Sequence, residues 1–458
     1  MINFDQASSS FPKAPNLPEA VAEFIRTGAS NINRGSLNIS YEATQLVYKT
    51  REYILDYFSA KNKEVVFTKN VTESLNLLLK GFLKSGDHII VSSLEHNAVM
   101  RPLKFLENIN VSYSIIPCDE NGRLKLDDIK SLIRPETKAI LTTSASNVIG
   151  TILPIRQIGK IARENNIPYF VDAAQLAGFL PINIEELAID VLAVTGHKSL
   201  LGPHGIGALI LSESMGRRVE PLVHGGTGSI SDKFDMPNTL PDKYEAGTQN
   251  LMGIAGLLAS MRWLAEHHIE VIKNEISLCT AFIEGVDKLS KDYPIKLVGL
   301  DLEESGYLLD INEIKSCLDF ESNKKNQALL KDRELLLEKI KRTPVVSLYS
   351  DEIDVANLAF YLESEGKIAT RVGMQCSPLA HKSLNTFPKG TIRFSFGYHE
   401  KLADVEYCLG LVREFLDGNI VFNSLTGLTS SNYVTVLVQL NKGEITSGER
   451  INKDFSYY

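Results

Sequence analysis

Val194-Thr195-Gly196-His197-Lys198-Ser199-Leu200-Leu201-Gly202-Pro203-His204-Gly205-Ile206-Gly207 stands between two apolar runs, Val191 to Val194 and Ala208 to Leu211. Runs of this kind read as strands, and a loop at a strand end is where open α/β sheets bind ligands. Lysine is ordinarily a solvated surface residue. Around Lys198, however, glycines at 202, 205 and 207 suit tight turns or close approach of backbone to a ligand. A lysine held in such a place can lose its proton and form a Schiff base with a carbonyl compound.

Upstream, Tyr169-Phe170-Val171-Asp172-Ala173-Ala174-Gln175 reads as a buried strand that ends in an acid. Pyridoxal phosphate enzymes need a reactive lysine together with an acid that pairs with the pyridinium nitrogen, and Asp172 is the candidate for that partner. Other apolar runs also end in polar clusters. Glu64 to Thr68 leads into Asn70-Val71-Thr72-Glu73 and then a helical pattern, Ser74 to Leu79. Strand, polar turn and helix start make a phosphate-binding arrangement, because free N–H groups and the positive end of the helix dipole face the anion. Ile89 to Ser93 ends at Glu95-His96-Asn97, and Ala139 to Thr143 ends at Ser146-Asn147. Apolar strands alternating with helical segments imply βαβ units and a mostly parallel sheet, with His96, Asn147, Asp172 and Lys198 gathered on one edge.

Asp172-Ala173-Ala174-Gln175 followed by Thr195-Gly196-His197-Lys198 resembles the class V aminotransferase family, and within it the cysteine desulfurases and selenocysteine lyases. The resemblance runs over roughly residues 2 to 416. It implies an α/β architecture of the fold type I pyridoxal phosphate transferases: a large domain with a mainly parallel seven-stranded sheet, and a small α+β domain. It implies that Lys198 holds pyridoxal 5'-phosphate, that His96 stacks on the ring, and that Asn147 hydrogen-bonds the phenolic oxygen and faces the substrate. Gln175 would lie on the same side, and Thr72, Val71, Thr195 and His197 would complete the cofactor-binding set. Gly247-Thr248-Gln249-Asn250 resembles the loop that reaches the phosphate of a neighbouring subunit, so Thr248 implies a homodimer with shared sites. Arg393, in Ile392 to Tyr398, matches the arginine that clamps the substrate α-carboxylate. Arg371-Val372-Gly373-Met374-Gln375-Cys376 resembles the desulfurase segment whose cysteine accepts sulfur, which implies L-cysteine as substrate and a sulfur-acceptor protein. Arg371 and His381 are expected to hold a Cys376 thiolate, and Gly373 to let the loop move.

The chain departs from the family pattern at Gln6, Ser8, Ser9, Leu37 and Val71. The first three are expected to make the substrate wall more polar. A selenocysteine lyase or another C–S lyase shares the whole cofactor site and stays open as a reading. So do a transaminase and a non-catalytic scaffold with a relic site.

With 458 residues the chain exceeds one ordinary core. The expected division is an N-terminal segment (1–15) joining a small domain, a large cofactor domain (16–258), the small domain (259–416) with an insertion near 301–342, and an extension (417–458). A helix from near Ile254 to Val271 is expected to link the two domains. Tyr433 to Leu440 reads as a strand in the extension. A net charge of −8 and the lack of any basic run argue against nucleic acid as a partner. The N-terminus shows no basic and apolar leader, no run is long enough to span a membrane, and five scattered cysteines lack metal-ligand spacing. A cytoplasmic, reducing location is the expectation, with no metal.

Overall fold

The computed structural model describes residues 1–27, 38–230, 232–299 and 340–426. Leu37, nearly all of the 301–342 segment and the strand-like Tyr433 to Leu440 lie outside the described residues. Thirteen strands are described: β1 (Ile2–Asn3), β2 (Glu64–Thr68), β3 (His88–Ser92), β4 (Ser112–Ile116), β5 (Thr137–Thr143), β6 (Tyr169–Asp172), β7 (Val191–Thr195), β8 (Gly207–Leu211), β9 (Lys296–Val298), β10 (Val345–Tyr349), β11 (Ile368–Ala369), β12 (Arg371–Gly373) and β13 (Thr391–Ser395).

Seven of them form one sheet in the order β2-β8-β7-β6-β5-β3-β4. Adjacent members of β7-β6-β5-β3-β4 pair parallel, while β8 runs antiparallel to both β7 and β2. The strands read as continuous apolar runs because both faces are covered. Successive residues alternate between two cores. Val65, Ile90, Ile140, Val171, Leu192 and Ile210 face one side. Val66, Val91, Leu141, Phe170, Ala193 and Leu209 face the other.

The antiparallel turn of β8 decides where the reactive lysine sits. Parallel neighbours need a long crossover, usually through a helix, but an antiparallel return needs only a loop. The chain leaves β7 at Thr195 and re-enters the sheet at its register partner Gly207, so Lys198 lies in the loop between them. A Cβ on Gly207 would meet the Val194 carbonyl at 2.6 Å and the Asn70 Cα at 3.0 Å, so only glycine lets this loop pack against the start of the helix after β2.

The helix Leu251–Leu289 links the two parts of the molecule. It runs well past Val271, because Ile272, Ile276, Cys279, Ile283 and Val286 extend the apolar face at helical spacing. Its second half packs on a smaller antiparallel sheet, β12-β13-β10-β9. The helices Val355–Gly366 and Leu402–Thr426 complete that α+β unit, the latter continuing beyond residue 416. β1 pairs parallel with β11, and Phe4 is fully buried against Phe396 there. Residues 1 to 4 therefore belong to the small unit, and the chain then crosses to the large one: Ser10 N–H bonds the His197 carbonyl and Ala14 N–H the Leu201 carbonyl.

Candidate active site

The sheet edge gathers the polar residues by its topology. Asp172 closes β6, with Thr143 and Ala193 as its partners on either side. His96 follows β3 as the N-cap of the helix Asn97–Leu106, its Nδ1 accepting from the Ala98 N–H at 3.0 Å. Neutral His96 therefore carries its proton on Nε2. Burial, then the charges of Lys198, Arg101 and Arg393, hold its pKa down to about 4, so the ring is neutral at neutral pH. Asn147 lies beyond β5, and Val71 and Thr72 open the helix after β2, capped by Asn70. The first-turn N–H groups of that helix have no intrahelical carbonyl to reach.

Asp172 and Lys198 face opposing pressures. Burial raises the Asp172 pKa, while the Ala174 N–H at 2.9 Å and the nearby Lys198 charge pull it back. Burial lowers the Lys198 pKa to about 8, with Asp172 opposing and Arg393 adding to the fall. Lys198 remains partly accessible, so its amine is open to a ligand. Behind Asp172 sits Glu95, fully buried. Its Oε1 accepts from the Thr143 N–H at 2.8 Å and from Ser92 Oγ, while Oε2 has no partner among the described residues. Burial pushes its pKa to about 8, so Glu95 is largely protonated at neutral pH. Glu95 thus bridges the ends of β3 and β5 beneath His96.

Two further buried polar atoms at this edge lack partners among the described residues: Thr195 Oγ1 and His197 Nδ1. Buried donors without partners are rare and expensive. Together with the open helix start at Val71 and Thr72, they fit an anionic group such as a phosphate. A lysine of depressed pKa and a buried acid at the same edge complete a donor set suited to pyridoxal phosphate. Gln175 turns one donor to the Ala7 carbonyl, at 3.2 Å, and so holds the N-terminal segment beside the site. Thr248 is placed elsewhere. It is exposed and lines a cavity of about 730 Å³ with Arg51, Glu245, Gly226 and Thr227, a lining that includes neither Lys198 nor Asp172.

The small unit supplies the opposite wall. Arg393 lies in β13 between β12 and β10, so it is buried (2% exposed) and does not point outward from an edge. Its guanidinium donates to Asp5 Oδ1 at 2.6 Å, Ser8 Oγ at 2.8 Å and the Asn147 carbonyl at 2.9 Å, and its Nε has no partner among the described residues. Of the three polar departures in the N-terminal segment, only Ser8 reaches Arg393. Gln6 is a staple within the small unit, bonded to Glu400 at 2.7 Å and to the Phe11 backbone at 2.7 and 2.8 Å. Ser9 faces His204 and the His197 carbonyl.

Cys376 is exposed and adopts a left-handed backbone, φ 59°, directly after Gln375 at φ 40°. Left-handed conformations are uncommon outside glycine and turn residues, and two in succession throw the thiol out of the chain path. One expectation is corrected here. His381 does not support a thiolate: it is fully buried, and its ring nitrogens meet Thr386 Oγ1 at 2.7 Å and Gln375 Oε1 at 2.8 Å. The short helix Pro378–Ser383 turns that ring inward. The loop is hydrogen-bonded at three points. Asn147 Nδ2 donates to the Gln375 carbonyl at 2.7 Å, Ser377 Oγ donates to Asn147 Oδ1 at 2.7 Å, and the Asn97 N–H donates to the Cys376 carbonyl at 2.8 Å. A Cβ on Gly390 would meet the Gly373 carbonyl at 2.5 Å, whereas a Cβ on Gly373, which has φ 97°, would meet nothing within 4 Å. The same bonds bring the cysteine loop against the strand end that carries Asn147 and the helix start that carries His96.

Asp5, Lys13, Glu95 and Ser377 escaped the sequence reading as site residues, and Ser8 was read there only as a polar departure. Only Glu95 left a local signal, an acid inside the strand end that precedes His96. The others act through contacts hundreds of residues apart. Among the described residues no cluster of side chains is arranged to hold a metal ion, and no helix is long and apolar enough to cross a membrane.

A sheet with one reversed strand, a lysine in the loop before that strand and an acid at the end of β6 define a pyridoxal-phosphate-type enzyme architecture. The chain belongs to the aminotransferase class-V family, which it matches over residues 2–304 and 310–408. That family is pyridoxal-phosphate-dependent. The chain is 30% identical over 427 residues to a "Probable cysteine desulfurase" of Pyrococcus abyssi, covering 91% of this chain and 94% of that one. It is 29% identical over 427 residues to a protein of the same description from Borreliella burgdorferi, covering 90% and 91%. The apo structure of cysteine desulfurase from Thermococcus onnurineus NA1 superposes with a TM-score of 0.76 at 28% identity, covering 91% of this chain and 95% of that one. The protein is thus a class V enzyme similar to cysteine desulfurases.

Proposed function

We propose that this protein is a pyridoxal-phosphate-dependent cysteine desulfurase that converts L-cysteine to L-alanine and takes the sulfur onto Cys376. The observation that carries this reading is the exposed, left-handed Cys376, hydrogen-bonded through its loop to Asn147 and to the start of the His96 helix. Lys198, Asp172, His96, Gln175, Thr72, Val71, Thr195 and His197 are the residues that would hold the cofactor. When bound, it draws electron density from the α-carbon of an amino acid.

The protein residues then have separate tasks. Arg393 binds the substrate carboxylate, with Asn147 beside it. The Lys198 amine, with a pKa near 8, takes and returns protons at the substrate carbons. Asp172 would serve the ring nitrogen, the effect of its burial opposed by the Ala174 N–H and the Lys198 charge. The Cys376 thiolate attacks the substrate sulfur. A sulfur–sulfur bond forms, the carbon–sulfur bond breaks, and its electron pair stays on the β-carbon, which takes a proton to give alanine. The persulfide passes to an acceptor, by this reading a second protein.

A second reading, selenocysteine lyase, draws support from the pinned cysteine loop, which suits chalcogen chemistry completed in place. Assay of the purified protein with cysteine, selenocysteine and cystine, following alanine and sulfide or selenide, separates the two. Alanine from selenocysteine alone would sink the desulfurase reading.

Asp172→Asn should bind cofactor yet lose at least about 10²-fold in turnover, the scale of a removed electrostatic contact in an active site. Near-normal turnover would mean that another group serves the ring nitrogen.

Thr248 acts, by this reading, on a second copy of the chain. Its place in a cavity whose lining includes neither Lys198 nor Asp172 supports that, as do the exposed apolar residues Leu222, Val223, Ile230 and Phe234 on neighbouring loops. Sedimentation should give twice the 50.8 kDa chain mass. A monomer with full activity would remove the shared-site proposal.

A further inference from the structure

The carbonyl of His197 collects four donors: the Ser10 N–H at 2.9 Å, the Lys13 ammonium at 2.8 Å, Ser10 Oγ at 3.1 Å and Ser9 Oγ at 3.2 Å. A carbonyl oxygen has two lone pairs, so this is an unusually crowded acceptor. The Lys13 ammonium spends all three of its N–H bonds here, on that carbonyl, on Ser10 Oγ at 3.1 Å and on Ser9 Oγ at 3.2 Å. The half-buried lysine holds its charge at a cost, since burial lowers its pKa to about 8. Ser9 Oγ also meets His204 Nε2 at 3.2 Å, and the His204 ring stacks on the His197 ring at 5.0 Å.

We propose that Lys13 is a positioning residue for Lys198 and His197: it fixes the peptide between them and so aims the amine and the imidazole at the cofactor. The carbonyl of His197 and the N–H of Lys198 lie in one rigid plane, so pinning the oxygen stops that plane from rotating. The Leu201 N–H holds the next carbonyl, that of Lys198, at 2.7 Å, which leaves the lysine backbone fixed on both sides. The inference rests on the reading of Lys198 as the cofactor lysine. It adds that the N-terminal segment, whose polar departures face different partners, sets the geometry of the cofactor as well as the substrate wall.

The segment does not depend on this ammonium to dock. Tyr398 OH donates to the Lys13 carbonyl at 2.9 Å, the Ala14 N–H to the Leu201 carbonyl at 3.1 Å, and Asn16 Nδ2 to the Ala259 carbonyl at 3.0 Å. Lys13→Met should therefore fold. The holoenzyme of this variant should lose cofactor on dialysis about tenfold faster than wild type, the scale of one charged hydrogen bond. Its visible circular dichroism per bound cofactor should fall, because that signal reports how the ring is held. Lys13→Arg, which keeps a charged donor, should recover part of both readouts, and Ser9→Ala should move them in the same direction as Lys13→Met by a smaller factor. Wild-type retention and dichroism in Lys13→Met, with only a lowered melting temperature, would overturn the proposal. So would a Lys13→Arg variant no better than Lys13→Met. Borohydride reduction of the wild-type holoenzyme is the separate control. A label away from Lys198 would sink the cofactor-lysine reading itself, and this proposal with it.

Discussion

Lys198→Ala should give a folded protein that no longer binds cofactor covalently, and turnover should fall by at least about 10²- to 10⁴-fold from the lost proton transfer alone. Borohydride reduction and peptide mapping of the wild-type holoenzyme should label Lys198. Label on Lys243 or Lys382 would refute the assignment. Both have other uses in the fold: Lys243 Nζ donates to the Gly216 carbonyl at 3.0 Å, and Lys382 Nζ lies 5.2 Å from the Phe387 ring centre. The environment of Lys198 also sets a pH signature. Its pKa is lowered to about 8, mainly by burial. Only the neutral amine attacks a carbonyl carbon, and at pH 7 about a tenth of a group with that pKa is neutral, against well under about a thousandth for an ordinary lysine. Covalent uptake of cofactor by the cofactor-free protein should therefore accelerate with pH, about tenfold per unit below pH 7, and level off above about 8. A rate still climbing past pH 10 would show that Lys198 sits in an ordinary solvated environment.

The sheet was legible in sequence because its central parallel strands are buried on both faces and so read as unbroken apolar runs, as in Ile89 to Val91 or Phe170 to Val171. The polar residues that end those runs fall on one edge by topology alone, which is why His96, Asn147, Asp172 and Lys198 could be grouped before any coordinates. Proximity in sequence misled at His381. It lies five positions from Cys376, but one helical turn directs its ring into the small unit. Gly373 is different: its φ of 97° and the open space around it give the reason for a glycine there. The burial of Arg393 was not legible, because sequence does not show that β12 and β10 pair on both sides of it. Asp5, Lys13 and the bond of Ser8 to Arg393 were invisible for a related reason. Their partners, Arg393 and the His197 carbonyl, lie far along the chain, and no periodicity marks such a pair.

The arrangement around Arg393 ties these corrections to the chemistry. Asp5 and Ser8 already accept from its Nη2, so the arginine is oriented and partly neutralised, and under the proposed function a substrate carboxylate would meet it in that state. Asn147 stands between Arg393 and the cysteine loop: its carbonyl accepts from Arg393, and its side chain donates to the Gln375 carbonyl and accepts from the Ser377 hydroxyl. Under the proposed function, the carboxylate end of the substrate and the sulfur acceptor would be placed relative to each other through this single residue.

Cys376→Ser tests that placement where the effect should be largest. The substitution leaves the loop bonds to Asn147 and Asn97 in place, because they come from the backbone and from Ser377 rather than from the thiol. The variant should therefore bind cofactor as wild type does. A serine hydroxyl does not ionise at neutral pH and cannot form a persulfide, so alanine production from L-cysteine should drop below about 1% of wild type. Cys118, Cys279 and Cys408 cannot substitute, because burial raises their pKa and holds them as thiols. Brief mixing of wild-type enzyme with L-cysteine should add one sulfur mass to the peptide that contains Cys376 and to no other described cysteine. If Cys376→Ser lost activity on cysteine but retained it on selenocysteine, the selenocysteine lyase reading would stand, because selenium leaves the β-carbon without a thiolate to receive it. Accumulation of alanine or pyruvate with no sulfur on any cysteine would identify a lyase that releases sulfur directly, and Cys376 would then be an exposed turn residue with no part in the transfer.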